Sequence, residues 1–400
     1  MTSVSDRLVI DLMSGEFYAG DPYPAWEWMR RNEPIYHDRE NNIWGVARYA
    51  DVRALSLDTS TFSNAEGARP KFYPMPMMID SDAPVHTRRR KLVSAGFTPR
   101  SIAAMAEHVR RVCDEVIDGV CERGSCDFVH DVAALLPLIM IADMLGVDVE
   151  HRPHMLRWSD DMMRSQGDPD PAAMEGSSIA FQEYSEYMAP VIEERRRTGR
   201  VDDVIGILVN AEIDGDRLSD DDLLFETLLI LIGGDETTRH VLSGGMLALQ
   251  QHPDQLAALR ADASRMPRAV EEMLRWVSPI QDMNRTVQKD VMIGDVALTE
   301  GDQLLLFYPS ANRDEDVFEN ASTFDIDRDP NPHIAFGLGA HFCLGNQLAR
   351  LELKIMFERL LERLPDLRLD GDGPFPKRPS NFVCGLESLP VVFTPTPKVF

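Results

Sequence analysis

Phe336-Gly337-Leu338-Gly339-Ala340-His341-Phe342-Cys343-Leu344-Gly345 decides the reading of this chain. The run sets one cysteine among glycines, whose missing side chains let backbone come close to a flat ligand. Directly after it, Asn346 to Leu361 has helical composition and periodicity. A cysteine just ahead of a helix N-terminus has its anion stabilised by the dipole and by free N–H groups. A sheltered thiolate is a soft, strongly donating ligand that can hold haem iron and push charge toward bound oxygen. Cys343 is therefore read as an iron ligand; the simpler alternative is a buried free thiol beside a glycine turn.

The spacing F-x-x-G-x-H-x-C-x-G, from Phe336 to Gly345, resembles the haem-binding loop of the cytochrome P450 family. Other motifs of that family follow in its order. His86 and Arg90, four apart on one helical face, stand where the family holds the haem propionates, and paired donors suit a carboxylate. Gly233-Gly234-Asp235-Glu236-Thr237-Thr238 resembles the family's (A/G)-G-x-(D/E)-T, with Glu236 as the acid and Thr237 as the alcohol. Glu272 and Arg275 match its E-x-x-R ion pair, with Arg328 as a third structural member. The resemblance further implies propionate contacts from Arg285 and His341, whereas His333 is expected to pack structurally.

Glu236 and Thr237 sit in a stretch that also has a physical reading of its own. A helix is expected to start at Ser219, a good N-cap followed by Asp220, Asp221 and Asp222, and to run through Leu223–Gln250 until Pro253 stops it. Such a helix is on the order of 45 Å long, and Leu228 to Ile232, apolar all round, demand burial. Each interior glycine costs about 1 kcal/mol against alanine, so Gly233 and Gly234 need a reason. A Thr237 hydroxyl bonded to the Gly233 carbonyl would loosen the ladder and open a groove for a diatomic ligand. An acid beside an alcohol offers a proton route to bound oxygen.

Residues 62 to 85 carry Gly67, Pro70, Pro74, Pro76 and Pro84 together with Phe72, Tyr73, Met75, Met77, Met78 and Ile79. A Met-rich, proline-broken loop can repack around irregular apolar shapes, and in the family this loop roofs the substrate pocket. The expected pocket lining is Met77, Met78, Ile79, Leu229, Gly233, Ile280, Met283 and Phe382. Arg88, Arg89, Lys91 and Arg100 form a dense basic cluster, read either as a solvated helix face or as a docking site for an acidic electron carrier.

A net charge of −25 over 400 residues argues against nucleic acid and anionic membrane surfaces. Five cysteines are an odd number in a long chain and point to a reducing, cytoplasmic compartment; Cys121 and Cys126 read as ordinary thiols. Asp6, Arg7 and Asp11 interrupt any signal-like apolar run, and Leu135–Ala142 falls short of the roughly 18 residues a transmembrane span needs. Apolar periodicity predicts helices at Tyr23–Asn32, Ile102–Ile117, Val129–Leu145 and Phe181–Arg197, and strands at Ile43–Ala47, Asp282–Val287, Val291–Ile293, Val296–Leu298 and Gln303–Phe307.

The fold implied by the resemblance is mainly α: one triangular domain spanning 1–400, with a small β-rich lobe around 35–60 and 282–310. Haem b would lie between the central helix and the Cys343 helix. The implied chemistry is monooxygenation by a monomer, using O2 and electrons from NAD(P)H through a separate ferredoxin and ferredoxin reductase. The resemblance is strongest to mycobacterial steroid monooxygenases that oxidise the terminal side-chain carbon of cholesterol or cholest-4-en-3-one; whether the alcohol is carried on to the carboxylic acid is a matter of that resemblance and is not written in these residues, and fatty acids, terpenoids or polyketides would also fit an apolar lining. Two rivals are a haem-thiolate sensor without turnover and a colourless hydrolase using Cys343 as nucleophile.

Overall fold

Ser219 caps the central helix as expected. Its hydroxyl accepts the Asp222 N–H while the Asp222 carboxylate accepts the Ser219 N–H, closing a capping box at the head of a 32-residue helix, Asp220–Gln251. The computed structural model describes residues 8–167, 170–213 and 215–400, so Asp6 and Arg7 of the signal argument lie outside the described residues. Among them no helix is long and apolar enough to cross a membrane.

The central helix is the shared wall of two apolar cores. Val241, Leu242, Met246 and Leu249 pack with the helices Ala106–Asp118, Met266–Val277 and Asn346–Arg363. Leu223, Leu228, Ile230 and Leu231 pack with Arg152–Gly167, Pro171–Thr198 and Val204–Asn210, through Trp158, Tyr184, Met188, Ile192 and Leu208. Burying such side chains contributes about 1.5–3 kcal/mol each.

Both segments expected to form the β-rich lobe enter one five-stranded sheet. Its spatial order is Ile35–Asp38, Ile43–Val46, Gln303–Phe307, Asp282–Val287, Phe62–Ser63. Ile43–Val46 runs parallel to Gln303–Phe307, pairing Trp44 with Leu304, whereas Asp282–Val287 is antiparallel, pairing Met283 with Leu306. Phe62–Ser63 pairs antiparallel with Asp282–Val287 and ends the sheet on that side.

Three helices differ from the sequence expectation. The stretch 102–117 divides into Pro99–Ala104 and Ala106–Asp118, because the Met105 N–H closes a short three-residue turn onto Ile102 and the helix axis restarts. Val129–Leu145 opens with a widened π turn over Val129–Ala133, where the Ala134 N–H reaches back to Val129, before the α-helix Leu135–Met144 begins. Phe181–Arg197 is the second part of a longer helix, Pro171–Thr198, that starts on an Asp170 cap, accommodates Pro190, and stops at Gly199 with φ 67°.

Candidate active site

The cysteine loop is shaped by two glycines in the left-handed region, Gly337 at φ 69° and Gly339 at φ 67°. A Cβ on Gly339 would stand 3.0 Å from the Ser56 carbonyl, so both backbone and space require glycine there. The Cys343 N–H donates to the Phe336 carbonyl at 2.8 Å, and Gly345 heads the helix Asn346–Arg363. Burial raises the Cys343 thiol; the N–H groups of Gly345 and Asn346 and the charges of Arg90 and Arg350 oppose it.

Cys343 faces a large chamber whose walls come from elements far apart in the chain. All eight residues expected to line a pocket do so: Met77, Met78 and Ile79 from the roof loop, Leu229 and Gly233 from the central helix, Ile280 and Met283 beside the sheet, and Phe382. Met283 and Arg285 share one face of their strand, as a two-residue period requires, and both reach the chamber. Phe336, Gly345 and Thr237 also lie on its wall. Sequence reasoning missed Met162, Met163 and Phe181 on the same wall, because they belong to helices whose approach to the chamber is set by packing alone.

The two central glycines have different causes. A Cβ on Gly234 would meet Ile141 at 2.5 Å, so this glycine serves helix packing. A Cβ on Gly233 meets nothing within 4 Å, and neither does one on Gly345; each leaves bare backbone toward the chamber. Thr237 Oγ1 donates to the Gly233 carbonyl at 3.0 Å, as expected. The helix nevertheless runs unbroken through 233–238, so the groove comes from the missing side chain at Gly233 and not from a gap in the ladder.

Glu236 is not on the chamber wall. It is fully buried one residue away, gripped by Arg378 and facing Arg239 at 4.0 Å. Arg239 also donates to Asp235 at 2.7 Å and to Asp160 at 2.9 Å. Burial raises the Glu236 carboxyl against the pull of Arg378 and Arg239. The Asp235–Arg239 spacing was visible in the sequence; Arg378 arrives from the C-terminal segment and carried no signal.

His86, Arg90, Arg285 and His341 converge at one end of the chamber. The rings of His86 and His341 have centroids 4.1 Å apart. Burial, His86, Arg285 and Arg90 together push His341 down to about 3. Among the described residues, His86 Nε2 and Arg285 Nε are buried without a hydrogen-bond partner, and the neighbouring acid Asp82 is taken up by Ser63 and the Asn64 N–H. Buried donors left open cost about 1–3 kcal/mol each, which two propionates would answer. With bare backbone at Gly233 and Gly345 and a thiol at Cys343, these residues fit haem b.

Below this site, Glu272, Arg275 and Arg328 form the expected network, with Glu272 and Arg275 wholly buried and Arg328 nearly so. Arg275 donates to Glu272 at 2.6 and 2.7 Å and to the carbonyls of Asn312, Ala321 and Thr323, tying its helix to the segment before the cysteine loop. Next to it Glu271 bonds Arg350 and His333, and Arg350 stacks on Phe336 at 4.5 Å; the structural reading of His333 stands. The basic cluster is partly spent inside the chain. Arg88 pairs with Asp216 at the surface and Arg89 with Asp222 in a largely buried site, so that Lys91 and Arg100 are the exposed members outside these two pairs.

The family described as Cytochrome P450 matches residues 42–385. A steroid C26-monooxygenase of Mycolicibacterium smegmatis is 50% identical over 401 residues, all of both chains. Another from Mycobacterium tuberculosis is 49% identical, again over the whole of both. Among solved structures, the bacillaene polyketide synthase P450 PksS of Bacillus subtilis superposes with TM-score 0.89 at 33% identity, over 96% of this chain and 100% of that one. CYP109E1 of Bacillus megaterium in complex with testosterone gives 0.85 at 32%, over 93% and 99%. With the thiol loop, the anion-seeking cluster and the glycine groove on one chamber, these matches establish that the chain belongs to the cytochrome P450 family and is built for a haem-thiolate centre.

Proposed function

We propose that this chain is a monooxygenase placing one atom of O2 on the terminal side-chain carbon of cholesterol or cholest-4-en-3-one. The observation that carries the reading is the chamber itself: a thiol loop and a bare glycine groove share one space whose remaining walls, outside the cationic cluster, are mostly apolar. Steroid C26-monooxygenases identical at half of all positions support the sterol class.

Bound on Cys343, haem supplies the oxygen activation and the one-electron steps. The protein does the rest. His86, Arg90, Arg285 and His341 hold the propionates, and the apolar walls exclude water and orient the alkyl chain. Thr237 holds a hydroxyl proton beside the groove. Glu236, whose burial favours its protonated form, can relay a proton once it exchanges Arg378 for Thr237. Electrons come from NAD(P)H through a ferredoxin reductase and a ferredoxin, for which exposed Lys91 and Arg100 offer complementary charge. Five free thiols suit a reducing cytoplasm.

The test is an optical titration of the ferric protein with cholest-4-en-3-one. A saturable low-to-high-spin shift places a sterol over the iron. Absence of a shift, with a normal thiolate spectrum, removes the sterol assignment and directs the search to fatty acids, terpenoids or polyketides.

A further inference from the structure

The roof loop is stitched together from within. Asp80 accepts the N–H groups of Ala68 at 2.7 Å and Met75 at 2.8 Å, and Asp82 accepts that of Asn64 at 3.0 Å. A loop so tied moves as a unit, and its position then depends on where it is fastened.

One fastening is a carboxylate of the central helix. Glu226, with no exposed surface, lies seven residues before Gly233 on that helix. Its Oε1 accepts the Met78 N–H at 2.8 Å. Arg89 reaches the same Oε1 at 3.4 Å, and also donates to the Pro76 carbonyl and to Asp222. The roof backbone is thus held on both sides of Met77, by its N–H at 78 and its carbonyl at 76. The side chains presented there, Met77 and Met78, are both on the chamber wall. A fully buried acid is costly without such partners; burial pushes this one up to about 7 against Arg89 and the Met78 N–H.

We infer that Glu226, clamped by Arg89, is a positioning residue: it fixes the height of Met77 and Met78 over the chamber and thereby which carbon of the substrate is presented. Because Glu226 and Gly233 share one rigid helix, the clamp gauges the roof against the oxygen groove itself. The inference rests on the chamber being the substrate site, and it needs no particular substrate.

The test compares haem-loaded Glu226→Gln, Glu226→Leu, Arg89→Met and the double variant Glu226→Leu/Arg89→Met, each retaining the thiolate band with carbon monoxide. Hydrogen exchange over residues 75–82 is expected to rise about tenfold or more in Glu226→Leu and in Arg89→Met, and to stay within about threefold in Glu226→Gln, whose amide oxygen still accepts the Met78 N–H. Cholest-4-en-3-one affinity should follow the same order, and Glu226→Leu should shift oxidation from the terminal carbon to its neighbours. The double variant should be no worse than the poorer single one. Exchange within twofold of the parent in both Glu226→Leu and Arg89→Met, or an unchanged product ratio with loosened exchange, would overturn the positioning role. If Glu226→Leu does not fold, Arg89→Met decides alone. Should the parent show no sterol shift at all, the sterol reading fails while the exchange experiment still judges the clamp.

Discussion

Thr237 donates its hydroxyl to the carbonyl of Gly233, four residues back on the same helix, at 3.0 Å. The bond keeps the hydroxyl beside the one position of the central helix where a side chain would meet open space and none is present. The hydroxyl and the open space at Gly233 are therefore placed together by a single turn of backbone.

Replacing Thr237 with alanine removes the proton-bearing group and leaves the chamber walls in place. Haem content and the cholest-4-en-3-one spin shift should change less than about twofold, while product formed per NADH falls about tenfold or more and peroxide rises. Unaltered coupling would show that Thr237 does not handle the proton.

Glu236 and Arg378 separate chemistry from stability. Glu236→Gln keeps shape and leaves Arg378 its neighbours Asp160 and Glu387, each 3.7 Å away; turnover should drop on the order of a hundredfold with about 1 kcal/mol or less lost in stability. Arg378→Met instead strips a buried acid of its nearest cation and should cost about 3 kcal/mol in urea unfolding. Equal stability losses in the two variants would contradict this division.

The Glu272 carboxylate serves two cations at once, Arg275 and Arg328, inside the protein. Glu272→Gln leaves both guanidinium groups undercompensated and should destabilise by about 3–5 kcal/mol, with haem lost on gel filtration. A variant that unfolds at the parent's urea concentration would show that the carbonyls of Asn312, Ala321 and Thr323 hold Arg275 unaided.

Glu352, buried on the cysteine helix, has its carboxyl pushed up to about 8, first by burial and then by Asp235. The unfolded chain releases this proton at about pH 4.3 and the folded chain only near 8. Rising pH between those values therefore favours unfolding, and the penalty levels off above 8. Glu352→Gln cannot ionise, so its unfolding free energy should match the parent's near pH 4 and exceed it increasingly up to about pH 8, by at most a few kcal/mol, and its melting temperature should rise above the parent's in the same order. Melting curves that stay parallel from pH 5 to 9 would refute the assignment.

Much of this was legible because it is local. Ser219 and Asp222 write the start of the central helix, and the Gly294-Asp295 and Gly301-Asp302 turns mark strands whose bounds match the expectation residue for residue. The small three-stranded sheet of Ser125–Asp127, Pro390–Val392 and Arg368–Leu369 was not anticipated. Its strands are two or three residues long, too short for any period, and Pro390–Val392 finds Ser125–Asp127 across most of the chain.

The division runs through the site itself. Sequence alone determined the ligand loop, the Thr237 hydroxyl and the apolar roof, since spacing, capping and turn chemistry act over a few residues. Only the tertiary structure decided that Glu236 turns from the chamber to Arg378, that Arg88 and Arg89 are neutralised within the chain, and that Glu226 holds Met78. Those are pairings of charges and hydrogen bonds between residues some 130 to 150 positions apart, and nothing in either partner's neighbourhood along the chain specifies the other. Except for the surface pair Arg88–Asp216, they exist because burying a charge or an N–H demands a partner, and packing determines which one is within reach.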